Sequence, residues 1–145
     1  MMDRIQGELD RMRGTLKVDF LGIALSNHNH DTNSRVIRWR YVSGNINENY
    51  RRIRLQVGRG IAGIVWRTGR SYQATELQKD PKQLIELPIT RMEKLETTIA
   101  VPMLKDGRVQ GVLLCGYRQV TAFDEDLLRK LEAAAEQLRP LLVVG

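Results

Sequence analysis

The sequence has 145 residues but only one cysteine and two histidines, and it has no long run of apolar residues. The single cysteine, Cys115, excludes an internal disulfide and a metal site built from several thiolates, which is typical of a reducing compartment. No apolar run reaches the roughly 18 to 20 residues that cross a bilayer, and the charged first residues differ from a secretory signal peptide. We therefore expect a cytoplasmic protein that makes no membrane contact.

The two histidines, His28 and His30, stand two positions apart in the polar stretch 26–34. Such a pair could supply half of a tetrahedral zinc site. Because the sequence offers no third histidine and no thiol pair, it predicts no metal site and no cofactor.

The composition, 42% hydrophobic and 28% charged, suits one globular domain over residues 1–145. The formal net charge is +6, and the segment from Arg35 to Arg70 holds nine arginines and one acidic residue, Glu48. Such a segment can contact nucleic acid, an acidic protein partner or an anionic ligand, and it can also be a solvated face. Among these alternatives we expect no nucleic acid.

Amphipathic helices are predicted near both ends, over 1–16 and 124–144. Apolar residues recur every three or four positions in both, and Asp124 is predicted to cap the second helix. The apolar stripes are narrow, as in coiled-coil interfaces. We expect both helices to cover a sheet and to present a surface to a second copy of the chain, as a homodimer, or to a kinase.

Two strands are predicted after the first helix. Residues 18–25 are almost wholly apolar and indicate a buried strand. In residues 35–44 apolar and basic side chains alternate. We therefore expect Ile37, Trp39 and Tyr41 on one face, with Trp39 pointing inward.

Further extended segments follow. A short strand is predicted around Ile53 and Leu55. The segments 97–104 and 108–117 predict a hairpin, because Lys-Asp-Gly links two β-rich runs. Hairpins without β-α-β crossovers favour an α+β fold with an antiparallel sheet.

The stretch 76–96 contains two prolines and shows no clear period. It predicts a long loop with one helical turn near 82–85. Long loops in compact domains are often functional.

The stretch 57–69, VGRGIAGIVWRTG, predicts a helix over 60–68 that Gly69 ends. The glycines before the helix permit positive φ and a close backbone approach. The first N–H groups of a helix have no intrahelical acceptor and lie at the positive end of its dipole. The stretch is therefore a candidate anion site.

Three stretches together resemble the GAF domain family: GRGIAGIVWRTGR, TTIAVPMLKDGRVQGVLLCG and FDEDLLRKLEAAAEQL. The resemblance covers nearly the whole chain. It implies a six-stranded antiparallel sheet with the N- and C-terminal helices on one face and a ligand pocket on the other.

Within that family the sequence resembles the stand-alone nitrate-receptor GAF proteins of bacterial Nre two-component systems. This resemblance rests on VIRWRYVSGN, YRRIRLQVGRGIAGIVWRTG and LPITRMEKLETTIAVP. It implies a nitrate sensor that modulates a sensor histidine kinase and its response regulator. It also implies that nitrate lies where a helix starts at Gly60, held by the N–H groups of Ile61 and Ala62.

The same resemblance implies that Trp39, Tyr50 and Ile89 form the walls of the site. Leu87 stands where the family has an aromatic residue, so a side-chain donor is absent there. A small, weakly hydrated anion needs directed N–H donors, whereas a contacting arginine would favour anions such as phosphate. We therefore expect Arg59 to face solvent.

Two other functions stay open, a sensor of another small organic ligand and a free methionine sulfoxide reductase that uses Cys115. The enzyme needs a resolving cysteine, which the sequence lacks. A lone thiol between Leu114 and Gly116 on a central strand is typical of a small core residue. We therefore predict a binding protein rather than an enzyme.

Overall fold

A computed structural model describes residues 2–29 and 34–142. Within them the chain forms five α-helices and five β-strands. In chain order these are α1 (Met2–Leu16), β1 (Phe20–Asn29), β2 (Ser34–Ser43), α2 (Gly60–Thr68), β3 (Tyr72–Ala74), α3 (Pro81–Glu86), α4 (Pro88–Met92), β4 (Thr97–Lys105), β5 (Arg108–Tyr117) and α5 (Glu125–Leu138). Short 3-10 segments cover Asn49–Arg52, Leu77–Lys79 and Arg139–Leu141.

The strands form one antiparallel sheet in the order β2-β1-β5-β4-β3. The predicted hairpin is confirmed as β4 and β5. Its two-residue turn has positive φ at Asp106 (52°) and at Gly107 (76°), as in the type I′ turns that match the twist of paired strands. The predicted α+β fold with an antiparallel sheet is confirmed.

The predicted sixth strand does not form in the described part of the chain. Leu55 makes only a bridge to β2, in which Ile37 N donates to Leu55 O (2.8 Å) and Leu55 N donates to Ile37 O (3.0 Å). The 3-10 segment Asn49–Arg52 precedes the bridge, and a turn that starts at Gln56 follows it. Too few extended residues remain for a ladder, so the prediction of six strands is wrong for the described residues.

Each face of the sheet carries its own buried cluster. On one face, here called the helix face, α1 and α5 pack on the strands, and the buried residues include Leu9, Leu21, Leu113, Leu131 and Leu138. On the other, here called the site face, α2 and α4 cover the strands, and the buried residues include Phe20, Trp39, Ile61, Leu77 and Leu114. The predicted placement of both terminal helices on one face is confirmed.

A β-bulge in β2 changes the faces predicted for that strand. Trp39 pairs with Ala24 and Tyr41 pairs with Ile23, so Arg40 is an extra residue on β2. An extra residue shifts the alternation of side chains by one position. Trp39 lies in the site-face cluster, whereas Tyr41 packs against the helix-face cluster. The prediction that the two share a face is wrong.

The predicted C-terminal helix is confirmed with a different end. Asp124 caps α5, because its Oδ1 accepts a hydrogen bond from the N–H of Asp126 (2.9 Å). The helix ends at Leu138 rather than at 144. Pro140 has no N–H to continue the helical hydrogen bonds, and the chain goes on as a 3-10 segment.

Parts of some predictions lie outside the described residues, namely residues 143–144 of the last helix, His30 and the side chain of His28. The polar stretch around these histidines is partly strand rather than loop, since β1 extends to Asn29 and β2 begins at Ser34. No group of three His, Cys, Asp or Glu side chains in the described residues is placed to hold a metal ion. No helix in the same residues is long and apolar enough to span a membrane.

The segment predicted as a loop, 76–96, is largely helical. Asp80 caps α3, which begins with Pro81, and α4 begins with Pro88. Proline is favoured at the first position of a helix, because its missing N–H would have no acceptor there. The two prolines therefore start helices. The prediction of a loop with a single helical turn near 82–85 underestimated the helical content of this segment.

Candidate functional site

Helix α2 has the bounds that the sequence predicts, and Gly69 ends it in the left-handed conformation (φ 66°). The two glycines before it also have positive φ, 91° at Gly58 and 68° at Gly60. A Cβ at Gly60 would lie 2.8 Å from Leu55 Cδ2. Glycine is therefore needed at Gly60 for the backbone conformation and for the contact with Leu55. Leu55 was not among the predicted site residues.

The start of α2 leaves backbone donors without protein acceptors. Among the described residues, the N–H groups of Ile61 and Ala62 form no hydrogen bond. Both residues are buried. Arg59 precedes them, is exposed and forms no side-chain cap. The donors therefore lie at the positive end of the helix dipole without a guanidinium buried beside them.

Trp39 is buried on the site face with its indole N–H unsatisfied. The residue is 3% exposed, and Nε1 has no hydrogen-bond partner among the described residues. A buried indole N–H usually has a partner. It is therefore a donor for which the surrounding side chains supply no acceptor.

The ring of Trp39 lies close to Gly22 on β1. A Cβ at Gly22 would come within 3.3 Å of Trp39 Cε3 and 3.0 Å of Phe20 Cε2. Gly22 thus makes room for both aromatic rings. Sequence reasoning missed Gly22 and Phe20, although a glycine inside an apolar strand is a signal of such close packing.

Three further predicted residues, Tyr50, Leu87 and Ile89, are buried in the same cluster. The Tyr50 hydroxyl accepts a hydrogen bond from Arg51 Nε (3.3 Å). Leu87 and Ile89 flank Pro88 at the start of α4. The side chains of Leu87 and Ile89 contribute only apolar surface, so these two residues supply no side-chain donor to the site.

An ion pair between buried Glu93 and partly exposed Arg118 fixes the end of α4. Glu93 Oε1 accepts hydrogen bonds from the Arg118 guanidinium (2.7 Å) and from the N–H of Ile46 (2.9 Å). Arg118 also donates to the carbonyl oxygens of Glu93 and Gly44 (2.9 Å each). These bonds join the end of α4 to the residue after β5 and to the segment after β2. Sequence reasoning missed this pair, because no local pattern links two residues on separate elements.

The seven predicted residues gather on the site face but do not line one pocket. Gly60 and Leu87 line an open pocket of about 330 Å³ in front of α2. Trp39 and Tyr50 line another of about 490 Å³ at the edge of β2. The other three are buried and line neither pocket: Ile61, Ala62 and Ile89. These two pockets therefore do not amount to one closed cavity.

Cys115 lies in the helix-face cluster, whereas its neighbour Leu114 lies in the site-face cluster. Adjacent residues of a strand point to opposite faces, which explains the separation. Burial raises the pKa of the Cys115 thiol to about 12. At neutral pH this group is therefore a thiol and not the nucleophilic thiolate.

The site lies on the face of an antiparallel sheet that α2 and α4 cover, and the terminal helices cover the other face. A family model described as a GAF domain matches residues 1–142, and the chain therefore belongs to the GAF domain family. Within known structures it is similar to an NreA protein of Staphylococcus aureus mutated in its nitrate-binding site. The two are 37% identical over 84% of this chain and 91% of that chain, with a TM-score of 0.76.

A hypothetical protein of S. aureus is similar to the same degree, with 38% identity, coverage of 80% of this chain and 94% of that chain, and a TM-score of 0.74. A free methionine-R-sulfoxide reductase of Thermoplasma acidophilum has a TM-score of 0.72 over 96% of this chain and 89% of that chain, but only 16% identity. The last similarity concerns the fold alone. A search of curated proteins finds no match.

Proposed function

We propose that this protein is a sensor of a small anion, nitrate, which binds on the site face between Trp39 and the start of α2. The observation that carries the proposal is the unsatisfied Nε1–H of Trp39, buried in the same cluster as Ile61 and Ala62. An unpaired buried donor costs about 1–3 kcal/mol. A ligand with acceptor oxygens removes that cost. The similarity to an NreA protein supports nitrate as that ligand.

Nitrate fits the chemistry of these donors. It is planar and weakly hydrated, and its oxygens accept hydrogen bonds from N–H donors of the kind that Ile61, Ala62 and Trp39 offer. None of the seven predicted residues carries a charged side chain. Sulfate and phosphate are more strongly hydrated and are usually held by arginine. We therefore expect nitrate and nitrite to bind more tightly than sulfate or phosphate.

Isothermal titration calorimetry with nitrate, nitrite, chloride, sulfate and phosphate tests the proposal. The decisive variant is Trp39→Phe, which keeps an aromatic ring and removes the N–H. It should weaken nitrate binding about tenfold or more, since a hydrogen bond to a charged group contributes about 1.5–3 kcal/mol. Trp66→Phe is the matched control, because Trp66 packs against the same cluster and is not a predicted ligand. It should change the Kd less than about threefold.

Either of two results would contradict this assignment. Absence of heat with every anion would leave a sensor of another small organic ligand. Equal losses in Trp39→Phe and Trp66→Phe would indicate that repacking, and not the Nε1–H of Trp39, sets the affinity.

The proposed output is a change in the phosphorylation state of a partner sensor histidine kinase in the cytoplasm. This part follows the resemblance to the nitrate receptors of Nre systems. Autophosphorylation of the kinase, measured with this protein present, should differ between nitrate and chloride at equal ionic strength. The same rate in both salts would separate nitrate binding from signalling.

A homodimer through the terminal helices is also proposed. The apolar stripes of α1 and α5 are buried against the sheet, so the outer, charged faces of these helices would form the interface. Sedimentation velocity over a range of concentrations decides between monomer and dimer.

We further propose that the protein does not reduce methionine sulfoxide. A reductase would need the Cys115 thiol beside the ligand, but Cys115 lies in the helix-face cluster. Its raised pKa also keeps the thiol protonated at neutral pH. Turnover of free methionine sulfoxide that disappears in Cys115→Ser would contradict this proposal.

A further inference from the structure

Part of the arginine-rich segment is concentrated at one edge of the sheet. Strand β2 is an edge strand and carries Arg38 and Arg40, and Arg51 lies in the neighbouring 3-10 segment. These three arginines line the open pocket of about 490 Å³ together with Trp39 and Tyr50. The sequence left the role of this segment open, and the nitrate site uses none of these side chains.

A second basic pocket adjoins the first. It has a volume of about 390 Å³, shares Arg40 and Tyr41 with the first pocket, and is also lined by Arg35 and Arg139. Arg139 Nε is buried without a hydrogen-bond partner among the described residues. Together the five arginines are here called the basic edge: Arg35, Arg38, Arg40, Arg51 and Arg139.

Few acidic side chains neutralise the arginines of the basic edge. Among the described residues that line the two pockets there is no Asp or Glu. Arg51 pairs with Glu48 (2.9 Å) and Arg139 with Glu136 (3.7 Å), and all four side chains are at least partly exposed. Exposed pairs of this kind contribute little, roughly 0–1 kcal/mol. The guanidinium groups are therefore available to an external anion.

The edge of β2 is open because the predicted sixth strand is reduced to a bridge. Ile37 pairs with Leu55, and Gln6 Nε2 donates to Val42 O (2.8 Å). Between these two contacts the outer edge carries the bulge at Arg40 and no other hydrogen bond among the described residues. Bulges and like charges hinder pairing with a second copy of the same edge. The occupant must therefore carry charge of the opposite sign.

A protein segment fits this surface better than nucleic acid does. Acidic side chains flank the pocket of about 490 Å³, since Glu48 pairs with Arg51 and Asp10 accepts a hydrogen bond from Gln6 (3.0 Å). A duplex presents a phosphate about every 1.7 Å along its axis and needs an uninterrupted basic track. A short run of carboxylates can instead match a few guanidinium groups.

The basic edge also shares residues with the nitrate site. Trp39 and Tyr50 line the basic pocket and belong to the site-face cluster that holds Ile61 and Ala62. A ligand that accepts the Trp39 N–H would fix the position of this ring. The floor of the basic pocket would then differ between the free and the bound protein.

We propose that the basic edge docks an acidic segment of a partner protein, and that nitrate changes the affinity of this docking through Trp39. The docking itself does not depend on the nitrate site. The effect of nitrate rests on the proposed function.

Fluorescence anisotropy with a labelled peptide of alternating glutamate and serine tests the docking at low salt. The variant carries Arg38→Gln, Arg40→Gln and Arg51→Gln, and the control of equal charge carries Lys105→Gln, Arg108→Gln and Arg129→Gln at exposed positions elsewhere. The first should weaken binding about tenfold, as expected from three pairs of roughly 0.5 kcal/mol each. The control should change the Kd less than about twofold. Circular dichroism confirms that both variants are folded.

Several results would overturn the docking proposal. Absence of binding by the glutamate peptide would do so, and so would equal losses in the two triple variants, because net charge alone would then explain the binding. Tighter binding of mixed-sequence duplex DNA than of the peptide would assign the edge to nucleic acid. Equal binding of a glutamine-serine peptide would exclude charge recognition.

The effect of nitrate on docking is tested by repeating the anisotropy titration in nitrate and in chloride at equal ionic strength. We expect the peptide Kd to differ about fivefold between the two salts and the difference to vanish in Trp39→Phe. If the Kd stays the same while calorimetry reports nitrate binding, the coupling is refuted and the nitrate sensor stands. If calorimetry reports no nitrate binding, the proposed function fails and the triple variants still decide the docking.

Discussion

On the helix face, two long helices bury their apolar stripes in regular turns, whereas on the site face the sheet is covered by short elements. Helices α1 and α5 have 15 and 14 residues, but α2 and α4 have only 9 and 5. Short helices leave a larger share of their N–H groups without intrahelical acceptors. The start of α2 therefore places buried backbone donors without intrahelical acceptors on the site face.

The two faces also differ in what they do with polar groups. Cys115 on the helix face is enclosed and its thiol is kept neutral by burial. Trp39 on the site face keeps in an apolar cluster a donor that has no partner in the described part of the chain. Both faces bury a large apolar cluster. We infer that the site face gives up part of its stability to keep a donor for binding.

The largest effect on stability is expected from Leu131→Ala, which removes a buried side chain from the helix face. Leu131 is fully buried in α5, and removing such a side chain costs about 2–5 kcal/mol of the free energy of unfolding. Urea denaturation measures this loss. The nitrate Kd of the folded variant, measured by calorimetry well below its melting temperature, should stay within about twofold of the wild type. A parallel loss of nitrate affinity would show that the faces are not independent.

The next effect is expected at the start of α2, where Gly60→Ala would combine a strained φ of 68° with a contact of 2.8 Å to Leu55 Cδ2. The strain costs about 1–2 kcal/mol of stability, and the displaced helix start should weaken nitrate binding about tenfold. Gly69→Ala is the matched control, because it has a similar φ of 66° at the other end of α2 and open space around it. It should lose similar stability and keep its nitrate affinity. Equal affinity losses in both would refute the role of the helix start.

Local signals explain which parts of the fold the sequence predicts. The bounds of α2 follow from glycines at both ends of an apolar periodic run, and the β4–β5 hairpin follows from its turn residues. The bulge at Arg40 and the loss of the sixth strand depend on pairing between distant segments, which no local pattern encodes. The helices α3 and α4 could have been predicted, since Pro81 and Pro88 are typical of first helical positions.

The sequence predicts which residues share the site face, and it does not predict how they are arranged there. The resemblance led to Trp39 and Ile61, and both lie on the site face. That Trp39 Nε1 has no partner within residues 2–29 and 34–142 depends on every side chain around it and could not be predicted. The face of Cys115 follows from the alternation along β5, which the sequence does contain.

A smaller effect is expected from the pH dependence of the helix face. Burial raises the pKa of Cys115 from 9.0 to about 12, so the unfolded chain loses this proton first as the pH rises. The contribution to stability is complete below pH 9 and falls between pH 9 and 12, by up to about 1.4 kcal/mol per pH unit. Cys115→Ala removes this component. Urea denaturation of both proteins at pH 8, 9 and 10 should therefore show a steeper loss in the wild type, and parallel losses would contradict a buried thiol.

The smallest effect is expected from Arg59→Ala, which tests whether the site face holds its anion by backbone or by charge. Arg59 stands directly before α2 but is exposed and forms no cap. Arg59 lines the open pocket in front of α2 together with Gly60. Because its side chain is exposed, its charge acts through solvent and is screened by salt, over about 10 Å at 0.1 M. Calorimetry should find a nitrate Kd raised less than about threefold at low salt and unchanged at high salt. If Arg59→Ala abolishes binding while Gly60→Ala retains it, a guanidinium holds the anion. In that case the binding energy would come from an exposed side chain and not from the N–H donors of the site face. The difference between the two faces would then not explain binding.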